Sequence, residues 1–313
     1  MGDSLFISSS DMKRFVIYIS SILLPLIFLM IAIEIMVVKI PNSYSYKYNY
    51  VKTHGDSIII LAIGHSQLYD GFDPKVFGYK AFNLCNSSQE FIDNYYILKQ
   101  LLEDMPNLKA VIMPLAYPEV SPASSKLELF ERSTYYHKYM HIDYEGQLPL
   151  KYRFECINIP KACRKLYDYY VRHEDIVGCD SFGRRNIYDS INRTWELEDN
   201  KVISKYYTLK QHSGFIIRGA YYLEMISKML RKRNVELILV SPPYYNESLR
   251  DLNLKQQAFV DEYALNFSKS EGCVYLNFQY SKDFEDHDFY DEAHLSRVGA
   301  EKFTKMLKEV IGE

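Results

Sequence analysis

From Phe15 to Val38 the chain reads FVIYISSILLPLIFLMIAIEIMVV, with Glu34 as its one charge. As a helix rising 1.5 Å per residue it spans roughly 36 Å, enough to cross a bilayer, and its length and hydrophobicity favour that reading over the alternative of a buried core helix. A cleavable signal peptide would have a shorter apolar core and a small-residue exit site, and neither is evident. The expectation is therefore a transmembrane helix over 15–38. Lys13 and Arg14 precede it and Lys39 follows. The positive-inside rule, with two basic residues before the span against one after it, slightly favours 1–14 as a cytoplasmic tail with the remainder outside the cytoplasm. Glu34 lies near the outer end, within reach of the interface.

Residues 39–55, with PNSYSYKYNY in their middle, read as a polar stalk. Beyond it, 56–313 alternates strand and helix signals. Ser57–Ile63 reads as a strand whose Ile58–Ala62 are apolar in a row, as in a strand buried on both faces. Ala81–Cys85, Leu108–Ala116, Val235–Val240 and Cys273–Phe278 are four more strands, with helical periodicity between them. Pro114 sits awkwardly near the end of the third strand. Strands alternating with helices argue for an α/β domain whose five-stranded parallel sheet is covered on both faces. Residues 120–213 break the rhythm with charged, tyrosine-rich helical pieces such as Tyr152–Tyr170, and read as a helical insertion above the sheet's functional edge.

The formal net charge is -3 and the basic residues are dispersed, which argues against a nucleic-acid partner. The 29 tyrosines suit grooves and sugar contacts without defining a site. Cys85, Cys156, Cys163, Cys179 and Cys273 show no paired metal spacing. Cys85 and Cys273 read as small core residues, and a disulfide from Cys156 to Cys163 or Cys179 stays open. His137 and His141 have metal-compatible spacing, but no Cys/Asp/Glu signature accompanies them. A solvated helix face accounts for them, and no metal or other cofactor is expected.

Chemistry concentrates at two distant places. Ile63-Gly64-His65-Ser66 leaves the first strand at its carboxyl end, the edge where open α/β sheets bind ligands. A serine there is a nucleophile only if an imidazole accepts its proton and an acid orients that imidazole. Asp291 and His294 lie three apart just before the last helix, where Ser296 is a fitting N-cap. Asp288 is the alternative orienter, though the three-residue spacing favours Asp291. Without that convergence Ser66 would simply cap a helix and His294 would be a surface histidine.

Gly64-His65-Ser66 with Gly71-Phe72-Asp73-Pro74, the turn Phe82-Asn83-Leu84-Cys85-Asn86-Ser87-Ser88, and Asp291-Glu292-Ala293-His294 resemble the SGNH/GDSL hydrolase family. The likeness is to its membrane-anchored branch associated with modifying cell-surface polysaccharides, and covers 56–119 and 235–313. It implies a flavodoxin-like three-layer sandwich with sheet order 2-1-3-4-5. It also implies Ser66 as nucleophile, His294 as base and Asp291 as orienter. The oxyanion would be held by the backbone N–H groups of Ser66 and Ser88. Departures are visible. His65 replaces the usual aspartate, and Ser87 or Ser88 stands where the family has glycine. The Gly-x-Asn-Asp block is absent at Leu115-Ala116-Tyr117-Pro118-Glu119; loss of such an asparagine donor can cost about 2.7–4 kcal/mol of transition-state stabilisation.

His65 reads as a brace for the turn or a substrate contact, and Asn86 as a side-chain donor to the oxyanion. Tyr244, Tyr245 and Asn246 follow the fourth strand and either line a pocket or form a packed loop. The resemblance implies an extracytoplasmic, membrane-tethered enzyme handling acyl esters, either an esterase/deacetylase or an O-acetyltransferase. Its implied partners are a cell-surface glycan or acyl-glycan substrate, the membrane, and a membrane acyl-transfer protein. The alternative is a glycan-binding or assembly subunit that has kept the fold with a degraded site.

Overall fold

The computed structural model describes residues 9–78, 80–122, 132–146, 149, 153–185, 207–209 and 214–312. Its first half contains helices α1 (Ser9–Val38) and α2 (Ser43–His54), strand β1 (Ile60–Ala62), α3 (Ser66–Gly71), α4 (Pro74–Phe77), β2 (Ala81–Asn83) and α5 (Phe91–Leu101). Next come β3 (Ala110–Pro114), β4 (Val120–Pro122), α6 (Ser133–Met140) and α7 (Ile159–Leu166). The chain closes with β5 (Phe215–Ile217), α8 (Ala220–Arg231), β6 (Glu236–Ser241), α9 (Leu254–Glu271), β7 (Val274–Asn277) and α10 (Arg297–Ile311). Contacts divide it into two compact units: Met1–Pro41 with Pro149–Ile176, and Asn42–Leu148 with Val177–Glu313.

The larger unit holds the five-stranded sheet expected from the alternation, in the order β2-β1-β3-β6-β7 with every pairing parallel. Side chains alternate across it. Ala62, Ile112, Ile238 and Val240 face a cluster built with Leu68, Phe72, Phe303 and Leu307 from the α3 and α10 side. The alternate residues Leu61, Val111, Leu237 and Leu239, also buried, face the opposite layer, where α8 packs on β6 and α5. Burial on both faces is why these strands read as unbroken apolar runs.

Pro114 proves to be well placed. β1 pairs with β3 only as far as Ala62↔Ile112, so no strand faces the missing N–H of Pro114 on that side. On the other side, Leu115 N–H donates to Val240 O at 3.0 Å. The Pro114 ring instead packs against the turn that delivers Ser66. Gly64 there has φ +146°, and a Cβ on it would stand 2.2 Å from Pro114 Cδ. A Gly64→Ala variant combines steric overlap with a disfavoured backbone. We expect it to lose about 2–4 kcal/mol of stability, measurable by denaturant unfolding of the detergent-solubilised chain.

The stalk expected over 39–55 is instead largely a helix of the α/β unit. Asn42 caps α2, its Oδ1 accepting from Tyr44 and Ser45 N–H at 3.0 and 3.1 Å. Val51 and Lys47 are fully buried, and Tyr50 stacks on Phe82 with ring centroids 4.2 Å apart. Lys47 Nζ donates to Cys85 O and lies 3.8 Å from the Tyr69 ring centroid; burial pushes its ammonium down to about 8. A tyrosine-rich polar segment looks like a tether in sequence because its partners are far away in the chain.

The insertion expected over 120–213 is not a single body. Its two ends are joined where β4 and β5 pair antiparallel, Pro122 opposite Phe215. Helix α6 packs on α2 and α5 within the α/β unit, while 149–176 belongs to the other unit. The stretch through Arg184 runs along β2, with Asn83 N–H donating to Phe182 O at 3.0 Å. Gly183 (φ +81°) permits that approach, since a Cβ would come within 2.2 Å of Asn83 O. The rest of the expected insertion, Tyr152 included, and residues 1–8 of the expected tail lie outside the described residues.

In the smaller unit α1 is long and apolar enough to cross a membrane, with mean hydropathy 2.7 over the most apolar 18 residues of Met12–Val38. Glu34 is buried there. Its Oε2 accepts the Cys156 N–H at 2.9 Å, and Oε1 that of Glu155 at 3.4 Å. All five cysteines are free thiols, so the disulfide left open for Cys156 does not form.

Candidate active site

Ser66 opens α3 immediately past the carboxyl end of β1. His65 is the cap, with its Nδ1 accepting the Gln67 N–H at 3.3 Å. Asn83 on β2 fastens the other end of this short helix, donating through Nδ2 to Leu68 O (2.8 Å) and Phe72 O (3.0 Å). The loop before α10 is closed by a bridge between Phe289 and Leu295 and by Tyr290 N–H donating to His294 O at 2.8 Å. Ser296 caps α10, accepting from Gly299 N–H and donating to His287 O. Gln67 Nε2 reaches Ala293 O at 3.4 Å, tying the loop to α3.

These supports bring together residues 228 positions apart. His294 Nε2 lies 2.8 Å from Ser66 Oγ, and His294 Nδ1 lies 2.8 Å from both Asp291 oxygens. Asp291 Oδ1 also accepts the Ala293 and His294 N–H groups at 2.9 and 2.8 Å, which fixes the carboxylate before the imidazole meets it. Burial pushes the His294 imidazole down, but the charge and hydrogen bond of Asp291 outweigh it and leave its pKa above the ordinary value. Burial likewise acts to raise Asp291, and is overcome by His294 and the two backbone donors, so its pKa falls below the usual carboxylate value. A base within hydrogen-bond reach of a hydroxyl, oriented in turn by an acid, can accept that hydroxyl's proton as it attacks an electrophile.

Asp288 takes no part. Its fully buried carboxylate accepts from Glu285 N–H and Lys302 Nζ, each at 2.9 Å.

Ser66 and His294 open into a cavity of about 170 Å³ also lined by Ser88, Glu90, Glu119 and Arg218. Ser88 adopts φ +53° at the turn before α5. Among the described residues, no acceptor takes the backbone N–H of Ser66 or of Ser88. The neighbouring Ser87 is held from two directions. Arg132 Nη1 donates to its carbonyl at 2.6 Å, and Arg185 Nη1 to its hydroxyl at 2.9 Å. Arg185 also binds Asp70, fully buried on α3, with Nε 2.6 Å from Oδ1. Removing one partner of a buried pair leaves an uncompensated charge. Arg185→Ala should therefore cost about 3–5 kcal/mol of stability by denaturant unfolding, whereas the same change at exposed Arg250 should cost under about 1 kcal/mol.

Of the other sequence candidates, His65 both caps α3 and lines the cavity. Its Nε2 lies 2.7 Å from Glu119 Oε1, close enough for an ion pair though poorly aligned for a hydrogen bond. Asn86 is buried beneath the turn, its amide donating to Gln89 Oε1 at 3.1 Å. Tyr244 packs with Ala116, Tyr117 and Ala293 in a small apolar cluster, and Asn246 is exposed. His137 turns to Ile142 O and His141 to the Tyr48 ring. Among the described residues no group of three metal-ligating side chains forms.

Sequence reasoning missed Glu90, Glu119 and Arg218. Arg218 Nη1 donates to Glu90 Oε1 at 2.8 Å. Burial raises the Glu90 carboxyl to about 7 against the opposing pull of Arg218. Glu119 offered one signal, its place just past the carboxyl end of β3. Neither a scan against protein-family models nor a search of curated proteins finds a match to this chain.

Proposed function

We propose that the chain is a membrane-anchored, serine-dependent acyl-ester enzyme of the SGNH type, acting on O-acyl groups of a cell-surface polysaccharide outside the cytoplasm. The observation that carries this reading is the Ser66–His294–Asp291 relay opening into a cavity at the carboxyl edge of a parallel sheet. Ser66 Oγ attacks the acyl carbonyl carbon while His294 Nε2 takes its proton. The N–H groups of Ser66 and Ser88 hold the tetrahedral oxyanion. Collapse expels the sugar hydroxyl, which leaves with the proton from His294. Water then attacks the acyl-Ser66 ester in a deacetylase, or a second sugar hydroxyl in an acetyltransferase, with His294 again the base. The apolar α1 supports the anchored part of the proposal.

A second reading, a glycan-binding or assembly subunit, draws on Glu90 and Glu119. Carboxyl groups lining the cavity disfavour a developing oxyanion, although Glu90 is paired with Arg218 and Glu119 lies against His65. The test gives the full chain in vesicles 4-nitrophenyl acetate, with and without a soluble oligosaccharide acceptor. The enzyme reading requires nitrophenol release that Ser66→Ala abolishes, with acetate or acetylated oligosaccharide identifying the second substrate. A folded wild type with no release above background overturns it in favour of the subunit.

A further inference from the structure

We infer that residues 154–171 form a second membrane-contact element, a short amphipathic segment lying in the bilayer's headgroup interface beside the end of α1. The inference rests on α1 as the membrane span and goes beyond it by naming a second part of the chain that enters the lipid.

The geometry of α7 supports this on three sides. Ala162, buried, and Leu166, half-buried, recur at i and i+4 on one face, and α7 packs against α1. Ile159, Cys163 and Tyr167 recur at i, i+4 and i+8 on another face, and all three are exposed. Lys161 and Arg164 are exposed on the remaining arc, where Lys165 turns to the buried Glu155 carboxylate at 2.6 Å. A soluble helix with one face already packed has no reason to present a second apolar stripe to water. The stripe continues past α7, where Val171 is 61% exposed and Tyr170 40%.

The same bonds set its depth. Tyr170 Oη donates to Met36 O at 3.3 Å, and Glu34 accepts the N–H groups of Glu155 and Cys156. Both α1 residues lie near the carboxyl end of the apolar run, where Ile31, Ile35 and Met36 are also exposed. The segment is thus fixed at the level where the span leaves hydrocarbon. Tyrosines and phenylalanine with basic neighbours are what that zone accepts, rings in the acyl boundary and cations among phosphates. Bilayer lipid is the occupant because the segment packs on α1 and is bonded to its end, a helix that already requires lipid.

Cys163 supplies the probe site. The full chain, with Cys179 and Cys273 changed to serine and buried Cys85 and Cys156 left in place, is labelled at Cys163 with an environment-sensitive fluorophore and reconstituted in phosphatidylcholine vesicles. A matched protein labelled at exposed Arg250→Cys, with Cys163→Ser, is the aqueous control. Flotation with the vesicles first establishes that α1 anchors the chain; failure to float defeats the span rather than the new element. In floating protein we expect quenching by lipid carrying a nitroxide high on its acyl chain. Iodide quenching should be at least about threefold weaker than at the control site. The double variant Ile159→Glu, Tyr167→Glu should bring Cys163 to the control's values while the protein still floats. Iodide quenching equal to the control in the parent protein overturns the inference. So does protection from both iodide and lipid nitroxide, which would mean that protein covers the stripe.

Discussion

Full-length Ser66→Ala and His294→Ala proteins, folded and reconstituted like the wild type, will not be labelled by a fluorophosphonate probe that labels the parent. Each will lose about 10⁴-fold or more of its esterase rate. The two losses share a cause. Serine is a weak nucleophile at its free pKa, and His294 Nε2 at 2.8 Å is the described base within reach of its oxygen. Removing either residue therefore removes the same step, and the double variant should be scarcely slower than either single one. Additive losses would mean that Ser66 and His294 act apart. Wild-type labelling that survives Ser66→Ala would place the reactive serine elsewhere. Neither substitution should unfold the chain, because the His294 loop retains the Asp291 bonds to the Ala293 and His294 N–H groups.

Residues whose position depends on local sequence were legible. Ser66 could be placed because a buried strand, a glycine turn and a helix start are all local patterns. The Asp291/His294 pair could be placed because three-residue spacing before a helix lets both side chains meet. The sheet was legible for the same reason: strands buried on both faces cannot hide their composition. Illegible residues owe their role to partners far away. Lys47 reads as part of a polar tether and is instead sealed under the Ser66 layer, because Cys85 O and the Tyr69 ring replace its water. Glu90, Glu119 and Arg218 come from three separate segments, and only the closed tertiary structure brings them to one cavity. The segment 120–213 failed as one insertion because it serves two compact units, and sequence periodicity carries no label saying which neighbour a helix packs on.

Asp291→Asn tests the electrostatics rather than the presence of the site. In the wild type burial disfavours the imidazolium, yet Asp291 more than offsets it and holds His294 above the ordinary value of about 6.5. The base must be neutral to work. kcat/KM should therefore rise with pH along an acid limb centred above about pH 6.5. With asparagine at 291 the geometry survives, but its charge is gone and burial, the largest remaining cause, prevails over the smaller and opposing effects of Asp70 and Arg185. The limb should move below about pH 6.5, and the rate on its plateau should fall by about 10⁴-fold, because an amide facing Nδ1 favours the wrong tautomer and leaves the imidazolium unstabilised. Stability follows the same signs. His294, raised on folding, stabilises the chain fully below about pH 6.5, and that contribution fades as pH rises through the folded value. Asp291, lowered on folding, contributes above about pH 3.9 and loses its effect as pH falls through its own folded value. The pair is thus most stabilising in the mildly acidic window between, where His294 is charged and cannot serve as a base. Asp291→Asn should abolish that mildly acidic stability maximum and leave stability falling as pH drops below about 6.5, while moving the activity limb to lower pH. A limb that does not move would show that a charge other than Asp291 controls the base.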